Sequence, residues 1–146
     1  MESTRFGRIE VPEDRLITLP MGLPGFPEAQ TFVLIDHTPA SPFRWLQAFE
    51  RPDLAFIVLD PLEVAPDFPL DLVRRSASFA GIDPDEELVV LVICTVTQTE
   101  EPTANFLSPI GIGKTSRRGA QVVMHESGFG STETFLHLLA DTSGSR

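Results

Sequence analysis

Thirteen prolines in a chain of 146 residues constrain its fold more than any other feature of the sequence. Proline fixes φ and lacks a backbone N–H, so it interrupts helix interiors and the hydrogen-bond ladders of central strands. The prolines recur at short intervals, and the segments between them are apolar or alternate in polarity. The spacing excludes a helical bundle and predicts a mainly β fold.

Short runs with strand-like patterning lie between the prolines. They are rich in β-branched, aliphatic and aromatic residues, and most of them alternate or are apolar throughout. We expect these runs to form a small β-barrel-like domain that spans the whole chain, residues 1–146. The predicted strands are 5–11, 15–20, 31–36, 43–49, 54–60, 87–96, 106–112 and 120–124.

Two segments have the periodicity of short helices. Residues 69–82 carry apolar side chains three and four positions apart, with Asp71 in the first turn and Gly81 as the stop signal. Residues 131–140 show similar spacing after the candidate caps Ser131 and Thr132. We therefore expect the region from about residue 130 to form a peripheral helix, followed by a frayed tail.

The net charge of −10 bears on possible partners. It repels phosphate backbones, so direct nucleic-acid binding is not expected, and it favours encounter with a basic protein. No apolar run approaches the roughly 18 to 20 residues that cross a bilayer, and the first ten residues lack a signal sequence. The lone Cys94 has no partner for an internal disulfide, so we expect a cytoplasmic protein.

Sequence motifs give no support for catalysis. The run GIGKT (111–115) resembles the end of a phosphate loop, but Ser108 stands where the first glycine belongs, and a predicted strand follows. We interpret it as a hairpin turn. The histidines lack metal-site spacing, and Cys94 lies in the middle of a predicted buried strand. We expect no enzyme activity, no metal and no cofactor.

Two alternative functions stay open at this point. One is a small ligand-binding or hydrolytic β-barrel that uses Asp36 or His37. The other is a structural subunit of an unrelated assembly, which would form a permanent homo-oligomer.

The run GLPGF (22–26) has more than one explanation. Pro20 and Pro24 stiffen the loop, and Gly22 and Gly25 allow positive φ at turn corners. The loop then presses Leu23 and Phe26 onto the end of the barrel as a plug, or it presents Phe26 as an apolar anchor for an amphipathic helix of a partner.

The run TANFLSPI (103–110) is a second candidate contact surface. It combines polar and apolar side chains with a proline, which is typical of an edge strand and of protein interfaces. The alternative is an edge strand whose Asn105 caps its own turn. The candidate partner-binding residues are Thr103, Asn105, Phe106, Leu107, Pro109, Ile110 and Phe26.

Several motifs occur together in a characteristic order between about Phe6 and Met124. They are FGRIEV, LITLPMGLPGF, FVLIDH, SPFRWLQAFERPDLAFIVLDP, TANFLSPIGI and GAQVVM. In their order and spacing they resemble the FliW family of flagellar assembly factors. The resemblance implies a mainly β, barrel-like fold without enzymatic activity.

The same resemblance implies two protein partners. One is newly made flagellin, for which the protein acts as a chaperone. The other is the carbon storage regulator CsrA, a small basic translational repressor that binds RNA. In such a system the factor sequesters the repressor until flagellin titrates the factor away, so that flagellin synthesis follows flagellum assembly. The sequence leaves open whether the partners compete for one surface or act through two.

Overall fold

The long predicted strands form where alternation and β-branching indicate them. The computed structural model describes residues 1–4, 6–36, 38 and 41–135. The predicted strands 31–36, 43–49, 54–60 and 87–96 are each present to within about two residues at either end. The strands are β1 Glu2–Ser3, β2 Gly7–Arg8, β3 Ile17–Thr18, β4 Thr31–Asp36, β5 Phe43–Ala48, β6 Ala55–Leu59, β7 Leu88–Thr95, β8 Thr103–Ala104, β9 Ile110–Gly113, β10 Gly119–Gln121 and β11 Glu133–Thr134.

Nine of the described strands form one antiparallel sheet, and β1 pairs with β2 apart from it. The sheet order is β10-β9-β7-β6-β5-β4-β3, with β8 beside β7 and β11 beside β8. The mainly β prediction is confirmed. The predicted barrel is not, because the sheet is open.

The two ends of this sheet meet at one isolated bridge between Thr18 and Arg118. There the Thr18 N–H donates to the Arg117 carbonyl over 2.8 Å. Strand β3 is only two residues long, and Pro20 follows it without an N–H to donate. Because β3 is this short, it pairs with β4 but forms no hydrogen-bond ladder with β10 at the other end of the sheet. The sheet therefore does not close into the predicted barrel.

Both faces of the sheet are buried, and alternate residues of β7 divide between them. Val90, Val92 and Cys94 face a helix-side core, whereas Leu91 faces a loop-side core. The helix-side core consists of the buried residues Leu59, Val64, Phe68, Val73, Ala77, Ala80, Ile82, Val90, Val92, Cys94, Ala104, Phe106, Ala120, Val122, Met124 and Phe135. The loop-side core consists of Ile17, Leu19, Leu23, Ala29, Phe32, Leu46, Ala48, Val58, Leu91, Ile110 and Ile112.

One of the two predicted helices is present in the described residues. Helix α1 spans Leu70–Ser76, which is shorter than the predicted 69–82, and a 3-10 turn at Ser78–Ala80 continues it. Gly81 ends this segment with φ +86°, as predicted. Further 3-10 turns lie at Glu13–Arg15, Pro61–Glu63 and His125–Ser127.

The predicted helix at 131–140 is wrong in its described part. Residues 131–135 contain β11, which pairs with β8, and the Phe135 side chain is fully buried against Phe43 with ring centroids 5.9 Å apart. Pairing with a strand about 30 residues away decides this segment, and helical spacing cannot reveal that. The remainder, 136–140, and the predicted tail 141–146 lie outside the described residues.

Gln47 ties the end of β5 to the turn that follows. Its buried side chain accepts a hydrogen bond from Ser3 Oγ over 2.8 Å. Its Nε2 donates to the carbonyls of Ala48 and Leu54, each over 3.0 Å, and lies 3.1 Å from the Arg51 carbonyl. The Arg51 and Leu54 carbonyls also accept backbone hydrogen bonds, from the N–H groups of Leu54 and Ala48. The amide therefore adds further bonds that hold the β5–β6 turn in place.

We predict that Gln47→Leu lowers the free energy of unfolding by about 2 to 4 kcal/mol, because it leaves buried polar groups unpaired. Urea denaturation monitored by Trp45 fluorescence measures this loss. Gln98→Leu is the matched control, since Gln98 is exposed and forms no hydrogen bond with the described residues. A midpoint as high as that of the control would contradict the assigned role of Gln47.

Candidate functional site

The loop at 22–26 is a tight, glycine-dependent turn. The Phe26 N–H donates to the Leu23 carbonyl over 2.8 Å, and Pro24 and Gly25 occupy the two corners. Gly25 has φ +87°, which together with the preceding proline is typical of a type II turn. Gly22 has φ +65°, and a Cβ there would lie 2.7 Å from the Phe26 carbonyl oxygen. The predicted positive φ at both glycines is confirmed.

Leu23 is the residue of this loop that fills the protein interior. Its side chain is 2% exposed and belongs to the loop-side core. Phe26 is half-buried, with its ring edge against Phe56 at 5.9 Å and the Arg51 guanidinium 5.6 Å from its ring centroid. The structure therefore gives the plug role to Leu23 and leaves part of Phe26 at the surface. Partner binding by Phe26 stays a prediction.

Strand β8 is not the edge strand that the sequence indicated at 103–110. It pairs with β7 on one side and with β11 on the other. Phe106 and Ile110 are 3% and 0% exposed, and Pro109 is buried as well. These three side chains pack inside the protein and are not available to a partner. Thr103, Asn105 and Leu107 are partly exposed, and for them partner binding stays a prediction.

Asn105 shapes the turn that follows β8. Its Oδ1 accepts a hydrogen bond from the Ser108 N–H over 3.1 Å, and its own N–H donates to the Ile93 carbonyl over 2.9 Å. The alternative interpretation is confirmed for the cap, because Asn105 caps its own turn, but it is wrong for the edge strand, because β8 is paired on both sides. The cap holds Ser108 at the surface, facing the loop at 22–26.

The two predicted regions meet in a shallow cleft of about 360 Å³. Met21 and Val123 are its most exposed apolar residues, at 70% and 54%. The Gln121 Nε2 donates to the Ser108 carbonyl over 2.9 Å, while the buried Gln121 Oε1 has no partner among the described residues. We call this surface the loop cleft. Its lining residues are Met21, Gly22, Leu23, Pro24, Gly25, Pro27, Asn105, Ser108, Gln121 and Val123.

Sequence reasoning missed Met21, Gln121 and Val123 as members of this surface. The adjacent Val122 is buried while Val123 is exposed. The alternation of side chains along a strand indicates only that Val122 and Val123 point to opposite faces. It does not show which of them meets the loop at 22–26, because that depends on a contact between distant segments.

The turn in GIGKT already holds an anion from the protein itself. Glu86 Oε1 accepts hydrogen bonds from the N–H groups of Thr115 and Ser116, over 2.8 and 2.7 Å, and Glu86 Oε2 accepts one from Asp83 over 2.6 Å. These contacts, with that of Ser116 largest, lower the pKa of Glu86 against the opposing effect of desolvation. The predicted hairpin turn between β9 and β10 is confirmed, and its amides are occupied by a carboxylate.

The other residues considered for catalysis or metal binding are Cys94, Asp36 and His37. Cys94 is 7% exposed, and burial raises the pKa of its thiol to about 12, which makes it a poor nucleophile. Asp36 lies exposed at the end of β4, and His37 lies outside the described residues. Within the described residues, no three His, Cys, Asp or Glu side chains are grouped as metal ligands. Nor does the described part of the chain contain a helix long and apolar enough to cross a bilayer.

Comparison with known proteins gives a consistent result. A family model described as "FliW protein" matches residues 1–135. The chain is 33% identical over 126 residues to flagellar assembly factor FliW of Caldanaerobacter subterraneus, covering 85% of this chain and 84% of that protein. It is 32% identical over 146 residues to the FliW of Natranaerobius thermophilus, covering 99% and 94%. The FliW of Bacillus subtilis is 33% identical over 124 residues, covering 84% and 87%.

A solved structure supports the same relationship. The crystal structure of a flagellar assembly factor FliW matches with a TM-score of 0.81 at 28% sequence identity. The match covers 92% of this chain and 94% of that chain. The two chains therefore share the same overall fold.

The first prediction from this site compares two glycines of the loop. Gly22→Ala should lower the free energy of unfolding by about 2 kcal/mol or more, because strain at positive φ is added to a clash with backbone atoms. Gly25→Ala should cost only about 1 kcal/mol, since open space surrounds a Cβ there. Thermal unfolding of both variants measures the difference, and equal losses would contradict the described loop packing.

The second prediction concerns the pH dependence of Glu86. Because its folded pKa lies below the model-compound value of 4.5, its ionised form stabilises the fold above that pH. The stabilisation is lost as the pH falls through the folded pKa. The stability difference between wild type and Glu86→Gln should therefore be larger at neutral pH than at pH 3.

Glu63→Gln is the charge-matched control for this measurement. Glu63 is exposed, and its side chain forms no hydrogen bond or ion pair with the described residues. Its substitution should leave the pH profile of unfolding nearly unchanged. A Glu86→Gln profile that runs parallel to wild type at all pH values would show that the carboxylate does not hold the turn.

Proposed function

The chain belongs to the FliW family of flagellar assembly factors, and from this we propose that it binds flagellin and antagonises the translational repressor CsrA. It does so as a single FliW-like domain in the cytoplasm, without catalysis and without binding nucleic acid directly. Its binding to CsrA relieves repression, and its binding to flagellin returns CsrA to the transcripts. Flagellin synthesis is thereby coupled to assembly.

The observation that carries the proposal is the loop cleft. Met21 and Val123 expose apolar surface next to polar groups of Asn105 and Gln121. An apolar centre with a few placed polar groups is the usual composition of a protein-binding surface. The glycine turn fixes the cleft before binding, which reduces the entropy lost on association. We assign the cleft to flagellin, whose amphipathic helices can lay an apolar face in such a groove.

The charge distribution supports a basic second partner. The chain has 21 acidic and 11 basic residues, and only four ion pairs form within its described part. Most of its carboxylates are therefore exposed without a cationic neighbour. Such a field accelerates encounter with a basic protein such as CsrA and weakens with salt.

Exchange between the partners follows from mass action. Flagellin bound to the factor lowers the concentration of factor that is free to hold CsrA, if the two complexes exclude each other. Exclusion is direct when the partners overlap on the surface. When they do not overlap, it requires a coupling free energy between two sites.

The experiment mixes the purified protein with flagellin, with CsrA and with both, and measures the masses of the complexes by light scattering. We expect a complex with each partner and displacement of CsrA by flagellin. The CsrA complex should weaken steeply as salt is raised, whereas the flagellin complex should change less. A chain that stays monomeric with both partners at micromolar concentration would contradict the proposed function.

Two variants test the assignment of the cleft to flagellin. Val123→Glu places a charge on the apolar part of the loop cleft and should weaken flagellin binding about tenfold or more. Phe79→Glu is the matched control, because Phe79 is 66% exposed but does not line the cleft. Equal effects of the two substitutions would place the flagellin contact elsewhere.

A further inference from the structure

A second pocket lies where the two ends of the open sheet approach each other. It has a volume of about 570 Å³ and shares no lining residue with the loop cleft. Strands β3 and β4 contribute one wall, and β7 and β9 contribute another. We call it the arginine pocket. Its lining residues are Ile9, Glu10, Val11, Pro12, Arg15, Ile17, Val33, Leu34, Ile35, Asp36, Arg44, Val89, Ile112, Lys114 and Arg117.

The charge of this pocket is opposite to that of the whole chain. Three arginines and a lysine line it together with Glu10 and Asp36. Lys114 is paired with Glu87 over 2.8 Å. The arginines Arg15, Arg44 and Arg117 form no salt bridge with any described residue. In a chain with a net charge of −10, three guanidinium groups without a carboxylate partner around one pocket favour an anionic ligand.

Arg117 is held in place by its backbone. Its φ is +60°, a conformation that residues other than glycine rarely adopt. The Arg117 N–H donates to the Gly113 carbonyl over 2.9 Å, and the Thr18 N–H donates to the Arg117 carbonyl over 2.8 Å. The first bond closes the β9–β10 turn, and the second ties the turn to β3. The side chain extends to the Arg15 carbonyl.

The guanidinium of Arg117 is only partly satisfied. Its Nη2 donates to the Arg15 carbonyl over 2.8 Å, whereas its buried Nε has no hydrogen-bond partner among the described residues. Burial, and secondly the charge of Arg15, lower the pKa of Arg117, and Asp14 offsets part of this effect. An anion in the pocket would relieve the repulsion between the two arginines.

The aliphatic side chains in the floor of the pocket indicate which class of anion fits it. Leu34, Val89 and Ile112 extend from the loop-side core and give the floor an aliphatic surface. A nucleic acid would bring many phosphates toward an acidic chain and would not use this apolar surface. A carboxylate flanked by aliphatic side chains matches both parts of the pocket.

We propose that the arginine pocket binds a carboxylate side chain within an apolar peptide segment of a partner protein. The guanidinium groups of Arg15, Arg44 and Arg117 contact the carboxylate, and the aliphatic floor contacts the side chains that flank it. The arginine pocket shares no lining residue with the loop cleft. Its test uses model peptides alone, so its outcome does not depend on the proposed flagellin and CsrA complexes.

The test measures binding of a fluorescent, end-blocked pentapeptide, Ala-Leu-Glu-Leu-Ala, by anisotropy. Its counterpart with Gln in place of Glu isolates the contribution of the charge. We expect the Glu peptide to bind about tenfold tighter or more, as one charge-assisted contact to arginine allows. Equal binding of the two peptides, or no binding of either, would overturn the proposal.

Variants locate the binding in the pocket. Arg44→Gln and Arg117→Asn should each weaken the Glu peptide about tenfold, and Asn is chosen at 117 because it tolerates positive φ. Arg75→Gln is the control with the same change in charge, since Arg75 is exposed on α1 outside the pocket. Should Arg117→Asn fail to fold, Arg44→Gln decides alone. Equal weakening by Arg44→Gln and Arg75→Gln would overturn the proposal.

A final arm separates the peptide from RNA. A uridine decamer is added to the complex of protein and Glu peptide. We expect no displacement of the peptide at moderate salt. Displacement by the decamer at concentrations comparable to the peptide would show that the pocket recognises phosphate, and it would overturn the peptide assignment.

Discussion

The fold depends on burying both faces of β7. This strand pairs with β9 and β8 along one edge, and with β6 along the other edge at Val92, Ile93 and Cys94. Its alternate side chains fill the helix-side core and the loop-side core. A shift of one residue would exchange the two sets of side chains, so packing on both faces fixes the register. The positions of both surface sites follow from that register.

The sequence predicts the parts of this structure that local pattern determines. The runs at 31–36, 43–49, 54–60 and 87–96 carry enough β-branched and aliphatic residues to specify strands by themselves. The turn glycines are equally local, because positive φ at Gly25 follows from its position after Pro24. Family motifs added the identity of the fold, which composition alone could not supply.

What the sequence missed depends on contacts between distant segments. Strands β8 and β11 are two residues each. Their pairing makes the predicted edge strand β8 interior and makes part of a predicted helix an edge strand, β11. Phe106, which sequence reasoning had assigned to a contact surface, is buried against the rings of Phe68 and Phe129. The loop cleft is likewise formed by segments about 100 positions apart. The loop and Asn105 were each predicted from the sequence, but their meeting in one cleft was not.

The surfaces of the protein differ in chemistry, and this fits the proposal that it binds more than one partner. The loop cleft is apolar and rigid, the general surface is acidic, and the arginine pocket is cationic. Recognition by three such different surfaces limits cross-binding, because a ligand suited to one meets unpaired charge or desolvated polar groups at another.

The single bridge between Thr18 and Arg118 has a mechanical consequence. Strands β4 and β5 are joined by five register pairs, whereas the two ends of the sheet are joined by one bridge. Under tension applied across the sheet, this bridge would break before the hydrogen-bond ladders between the interior strands. The two ends of the sheet can therefore separate while the interior strands stay paired.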